Sequence, residues 1–254
     1  MNSPCPPELS VIEPQLGIGV VAPFDFALDW ELWRWALPGA TLHITRTPYL
    51  EMHVTVEMAE QVSEREAVRR ATRDVLTAEP QVVVYACTSG SFVKGRTGEW
   101  ELQAAMIGAG APDAATTSGA LVEALDALGI QNIAIATPYL PTVTERLHDF
   151  LAECDRSVVN SAHLGLSSYI WKVPYKDVWD LALGADDDKA DALFLSCTNL
   201  PTYDLIEPLE QALGKPVLTA NQVTIWAALQ RLGIRSTAAD NRQSLFRLTS
   251  DADQ

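Results

Sequence analysis

Apolar residues along this chain fall into short unbroken runs, and between the runs they recur every three or four positions. That alternation predicts buried strands separated by amphipathic helices. The runs Leu16–Pro23, Thr41–Thr45, Val82–Tyr85, Asn132–Pro138, Ser157–Asn160, Ala192–Leu195 and Pro216–Thr219 read as strands. Helices are expected over Phe24–Leu37, over residues 55–78, over Gly98–Gly108 and over Ala120–Leu128 with Gly129 as its cap. Further helices are expected around Val143–Leu151, around Val178–Leu183 and over Asn221–Leu232. Residues 1–14 hold Pro4, Pro6, Pro7 and Pro14 and read as a loose arm.

The pattern then begins again. Pro23 and Pro138 each end a strand, Cys87 and Cys197 each follow one, and Ala124-Leu125 before Leu128-Gly129-Ile130 returns as Ala228-Leu229 before Leu232-Gly233-Ile234. These anchors recur in the same order at similar separations, which points to an internal duplication. The expected fold class is α/β: two pseudo-symmetric, doubly wound parallel-sheet lobes with the active site in the cleft between them. Residues 1–116 with 228–254 are assigned to the first lobe, which carries Cys87, and 117–227 to the second, which carries Cys197.

Composition narrows the partners. The 254 residues are 48% hydrophobic, enough to bury a large core, and Lys+Arg 18 against Asp+Glu 33 gives a net charge of −15. Such a charge opposes binding to nucleic acid or an anionic membrane surface. No run approaches the roughly 18 to 20 apolar residues of a membrane span, and no basic-then-apolar leader opens the sequence. A cytoplasmic protein is expected.

The four cysteines, Cys5, Cys87, Cys154 and Cys197, have neither a Cys-x-x-Cys spacing nor a close histidine pair, so no metal site is expected. Cys5 and Cys154 read as incidental thiols. Cys87 and Cys197 differ from them because each sits where a strand opens into a turn of small hydroxyl residues. Backbone N–H groups at such a turn, with a helix dipole behind them, are expected to favour thiolate over thiol. With the hydroxyls of Thr88, Ser89 and Thr198 they can hold a carboxylate without a lysine or a metal. Two thiols on opposite walls of one cleft can invert a carbon acid, or one can add to an alkene while the other protonates the neighbouring carbon. Both reactions need no cofactor. A small buried hydrophobe is the bland reading of each cysteine, and the duplication weighs against it.

Ala86-Cys87-Thr88-Ser89-Gly90-Ser91-Phe92, Ala136-Thr137-Pro138-Tyr139, Leu195-Ser196-Cys197-Thr198-Asn199 and the Gln222–Trp226 stretch resemble the aspartate/glutamate/hydantoin racemase superfamily. Within it the chain is most similar to the branch of maleate cis-trans isomerases and arylmalonate decarboxylases. The resemblance runs from about residue 17 to 235. It implies that Cys87 is a nucleophile, that Cys197 is a proton donor, and that Thr88, Ser89, Tyr139 and Thr198 hold substrate carboxylates. Pro23 and Tyr169 join them as candidate substrate-binding residues. The decarboxylases carry glycine where Cys87 stands. The chain departs from the isomerases at Phe24-Asp25-Phe26 and at Gly165–Tyr169, where they carry carboxylate-binding asparagines.

The function expected from this is a cofactor-independent isomerase of a small mono- or dicarboxylate, acting as a homodimer, to which Trp30, Trp33 and Trp35 contribute. Two alternatives stay open: an amino-acid or hydantoin racemase using the same thiols, and a non-catalytic small-carboxylate binding protein. A redox pair of Cys87 and Cys197 ranks below both, since the disulfide would block the anion site. His163, Arg46 and the acidic Asp186–Asp188 loop read as structural or solvated groups.

Overall fold

The computed structural model describes residues 15–36, 39–234 and 242–247. The proline-rich arm with Cys5 lies outside them. Among the described residues eight strands are formed: β1 (Leu16–Ala22), β2 (Ala40–Arg46), β3 (Val82–Tyr85), β4 (Ala114–Thr116), β5 (Asn132–Thr137), β6 (Ser157–His163), β7 (Ala192–Leu195) and β8 (Val217–Thr219). They make two four-stranded parallel sheets in the orders β2-β1-β3-β4 and β6-β5-β7-β8. The two orders are the same topology used twice, as the repeated anchors predict. The described residues thus form the two-lobed α/β fold expected of the sequence.

Burial explains which runs became central. β3 and β7 are buried at every position and β1 at all but its first, because helices cover both faces of a parallel sheet. Edge strands β2 and β6 are only part-buried. Connections leave β1 and β3 toward opposite edges of their sheet, and so do those of β5 and β7. The carboxyl ends at such a switch point frame a crevice that the sheet itself does not fill.

The helices are α1 (Asp29–Trp33), α2 (Val56–Val62), α3 (Arg65–Leu76), α4 (Thr88–Phe92), α5 (Gly95–Gly108), α6 (Thr117–Leu128), α7 (Pro141–Glu153), α8 (Tyr175–Ala185), α9 (Ile206–Leu213), α10 (Ala220–Arg231) and α11 (Ser244–Arg247). Helices α6 and α10 are equivalent in the two halves. Threonines cap both: Thr116 accepts from the Gly119 N–H, and Thr219 forms a capping box with Gln222. They pack against each other, with the Thr117 and Thr224 hydroxyls 2.8 Å apart, and α10 also contacts β3 and β4 of the first sheet. The two halves are therefore joined through buried, hydrogen-bonded helices.

Several expectations needed correction. Only Asp29–Trp33 of the Phe24–Leu37 segment is helical, because Phe26 N–H closes a turn on the Pro23 carbonyl and keeps the chain in a loop; residues 37 and 38 lie outside the description. Residues 55–78 form two helices, divided at Ser63-Glu64, where the Ser63 hydroxyl turns back onto the Glu60 carbonyl. Strand β4 was not foreseen, since Ala-Ala-Thr carries little strand preference and is held by pairing to β3. Helix α9 was not foreseen either.

Candidate active site

Cys87 follows β3 and stands at the cap position of α4, in extended conformation. Gly90 makes room for its sulfur. A side chain at Gly90 would place Cβ 3.1 Å from Cys87 Sγ and against the Tyr85 hydroxyl, so the glycine is required by close approach. The Gly90 N–H and the Ser89 hydroxyl donate to the sulfur, and the Tyr85 hydroxyl, which donates to the Val62 carbonyl at 2.8 Å, faces it. Burial nevertheless outweighs these donors and pushes the Cys87 thiol up to about 11. The sequence pointed the other way, toward a thiolate. The five-residue helix contributes little against desolvation of a fully covered sulfur.

Cys197 follows β7 at the equivalent position but with φ 96°, in the left-handed region that a non-glycine residue rarely enters. Such a conformation costs on the order of 1–3 kcal/mol and persists only where its surroundings fix it. Here they do so from the other lobe. Asn199 donates its backbone N–H to Cys197 Sγ at 3.4 Å, while its side chain accepts from Ala27 N at 2.9 Å and donates to the Asp25 carbonyl at 3.1 Å. Glu31, fully buried on α1, accepts from the Thr202 and Tyr203 N–H groups at 2.7 and 2.8 Å. Asn221 donates both to Glu31 at 2.6 Å and to the Thr198 carbonyl at 3.0 Å. The turn after Cys197 is thus fastened to the first half by side chains that sequence reading did not single out. Burial raises the Cys197 thiol to about 12, opposed by the Asn199 N–H and a hydrogen bond from the Tyr139 hydroxyl.

Both cysteines line one cavity. Pro23, Asp25, Val54, Met58, Thr88, Ser89, Tyr139, Ile170, Thr198 and Asn199 complete its wall. Seven of the eight candidate residues therefore meet at one place, drawn from the ends of β1, β3, β5 and β7. Thr88 Oγ1 is buried there without a hydrogen-bond partner among the described residues, as a group positioned to meet a ligand oxygen would be. The cavity holds only about 20 Å³, room for roughly one water. Val54, Met58 and Ile170 give that small space its apolar lining. A hydrogen bond from Val54 N to the Ser167 carbonyl at 2.8 Å ties the loop after β2 to the turn after β6.

Tyr169 is the exception among the candidates. It is 61% exposed, with its ring beside Trp171 and under Lys172, and it lines an outer depression of about 440 Å³. Its neighbour Ile170 takes the inner position. Asp25 and Val54 border both spaces, so the depression adjoins the cysteine cavity. His163 and Arg46 are exposed and line neither. Asp25, Asn199, Val54, Met58 and Ile170 were missing from the candidate set. Asn199 had a usable signal, since it completes the Cys-Thr-Asn turn; the apolar cover had none.

The chain is similar to proteins of known activity. Residues 52–246 match the arylmalonate decarboxylase family. The chain is 32% identical over 169 residues to the arylmalonate decarboxylase of Bordetella bronchiseptica, covering 65% of this chain and 70% of that protein. It is 30% identical over 210 residues to the maleate isomerase of Nocardia farcinica (strain IFM 10152), covering 78% and 81%. Among solved structures, Nocardia farcinica maleate cis-trans isomerase bound to TRIS superposes with a TM-score of 0.84 at 26% identity, covering 92% of this chain and 99% of that one. A crystal structure of arylmalonate decarboxylase gives 0.77 at 27% identity, covering 91% and 99%. The chain belongs to the arylmalonate decarboxylase family, within the aspartate/glutamate racemase superfamily. It is an enzyme of the group that isomerises or decarboxylates small carboxylates. Among the described residues no helix is long and apolar enough to cross a membrane, and no cluster of three or more histidine, cysteine or acidic side chains is arranged to hold a metal.

Proposed function

We propose that this enzyme is a cofactor-independent cis-trans isomerase of a small ene-carboxylate, with Cys87 as nucleophile and Cys197 as acid and base. The observation that carries the reading is the convergence of both thiols on one cavity, with the Tyr139 hydroxyl bonded to Cys197. In the reacting form one proton is shared between the two sulfurs, so that Cys87 is thiolate and Cys197 is thiol. The Cys87 electron pair forms a C–S bond while the alkene π pair moves to the neighbouring carbon, which takes the Cys197 proton. The former double bond, now single, rotates. Cys197 removes a proton from the same carbon, the alkene re-forms as its trans isomer and the C–S bond breaks, restoring both sulfurs.

The other roles follow from position. Thr88, Ser89 and Thr198 supply hydroxyl and backbone donors to the substrate carboxylate, Tyr139 holds Cys197 in place, and Pro23 closes the wall. A raised thiol suits Cys197 as a proton donor. Cys87 must lose its proton to solvent before addition, and the Gly90 and Ser89 donors stabilise the thiolate once burial has been met. The homodimer expected from the three tryptophans belongs to this proposal; Trp30 and Trp33 are exposed on α1, whereas Trp35 is buried and bonds Gln243 at 2.9 Å.

A proton NMR time course in deuterated buffer tests the reading. Olefinic signals of a cis-ene acid should be replaced by those of the trans acid. Exchange of a Cα proton in aspartate, glutamate or a hydantoin without any olefin conversion would favour the racemase alternative instead.

A further inference from the structure

Asp25 gives this site a charge that the reaction itself does not require. The residue follows β1 at the switch point of the first sheet and borders both the cysteine cavity and the outer depression. Its carboxyl is near enough to both sulfurs for its charge to hinder their ionisation. Burial raises the Asp25 carboxyl above its ordinary value, opposed by donation from its own backbone N–H and the Asn199 side chain, and the residue lines the cavity. Among the described residues, no lysine, arginine or histidine lines that cavity, so nothing there neutralises a second negative charge. Glu51 and His53 line the outer depression with Asp25.

A substrate with a carboxylate at each end would have to set its second charge near Asp25 in a cavity whose lining holds no lysine, arginine or histidine. Like charges juxtaposed in a partly desolvated site cost several-fold to many-fold in affinity. A substrate with an N–H group at that end would meet an acceptor instead. The same cavity also presents Thr88, Ser89 and Thr198, donors suited to one carboxylate.

Resting on the isomerase reading, we infer that the substrate is a cis-ene monocarboxylate with a nitrogen-borne hydrogen-bond donor at its far end, a carboxamide or an ammonium group. Asp25 accepts from that donor and is the specificity-determining residue. The alkene remains conjugated to a carbonyl in both cases, so addition of Cys87 and protonation by Cys197 proceed with the same balance of bonds and protons.

The test compares maleamate, cis-4-aminobut-2-enoate and maleate as substrates of the wild-type enzyme and of Asp25→Asn, with olefin conversion followed by NMR. Wild type should convert one of the two nitrogen-bearing acids with a kcat/KM at least about tenfold above that for maleate. Asp25→Asn should narrow or reverse that ratio, and which acid wins separates the carboxamide from the ammonium. Maleate conversion by wild type at a rate equal to or above both would overturn the role of Asp25 and leave the isomerase reading standing. No conversion of any of the three by either protein would overturn both. Should Asp25→Asn fail to fold, the unreactive acids succinamate, 4-aminobutanoate and succinate can be compared on wild type by thermal shift. Stabilisation by succinate equal to or greater than that by the other two would count against the inference, and the reverse order would support it.

Discussion

The carboxylate of Glu31 accepts the backbone N–H of Thr202 at 2.7 Å, joining α1 of the first half to the turn that follows Cys197 in the second. The same carboxylate takes the Tyr203 N–H and the Asn221 amide, and Asn221 in turn holds the Thr198 carbonyl. One buried acid therefore sets the path of the chain from Cys197 onward. It does so without lining the cavity, which makes it a positioning residue.

Replacing Glu31 by Ala removes the acceptor of four donors, the Thr202 and Tyr203 N–H groups, the Thr202 hydroxyl and the Asn221 amide, and the expected loss of stability is about 3–5 kcal/mol. Glu31→Gln keeps one acceptor and should lose roughly half as much. Its kcat should fall further than its KM rises, because the turn carrying Cys197 is what loosens. Chemical denaturation together with steady-state kinetics of both variants checks this; unchanged stability in Glu31→Ala would contradict the role.

Gly90→Ala should remove most of the turnover while the protein remains folded. The added methyl would lie 3.1 Å from Cys87 Sγ and against the Tyr85 hydroxyl, so the sulfur or the phenol must shift. Circular dichroism and the rate of thiol alkylation at Cys87 separate displacement of the sulfur from general unfolding.

Stability should fall as pH rises from about 9 toward 11. The native Cys87 and Cys197 thiols are raised from an ordinary 9.0 to about 11 and about 12, so over this window they stay protonated while the unfolded chain ionises. The native state then binds more protons than the unfolded state, and each such thiol lowers stability by up to about 1.4 kcal/mol per pH unit. Below pH 9 both states hold the proton and the contribution is flat. Turnover moves the opposite way, rising with pH as Cys87 thiolate becomes accessible. Urea unfolding across this range, with Cys87→Ser and Cys197→Ser showing a shallower decline, checks the first trend.

The duplicated sheet was legible because its signals are local. Unbroken apolar runs mark β1, β3, β5 and β7, and the residues directly after them, Pro23, Cys87, Tyr139 and Cys197, must land at one edge if the strands are parallel. What was not legible depends on distance in sequence. Glu31 reads as an ordinary helical charge until Thr202, Tyr203 and Asn221 are brought to it. Tyr169 and Ile170 are adjacent and opposite in role, because a φ of 52° at Tyr169 turns the chain so that one residue faces out and the next faces in. The state of the thiols was misread for a related reason: strand-end turns offer donors, but burial by Val54, Met58 and Ile170 comes from segments far along the chain.

The division of labour between the two cysteines is tested most directly by peptide mass analysis of the Cys197→Ser enzyme after incubation with a cis-ene acid that wild type converts. Cys87 adds to the alkene in this variant and the neighbouring carbon takes its proton from solvent, but the serine hydroxyl is too poor a base to remove a proton from that carbon again, which slows the return. The expected result is an adduct on the Cys87 peptide with the full mass of the acid, together with lost turnover. An unmodified Cys87 in a variant that turns over at the wild-type rate would contradict it.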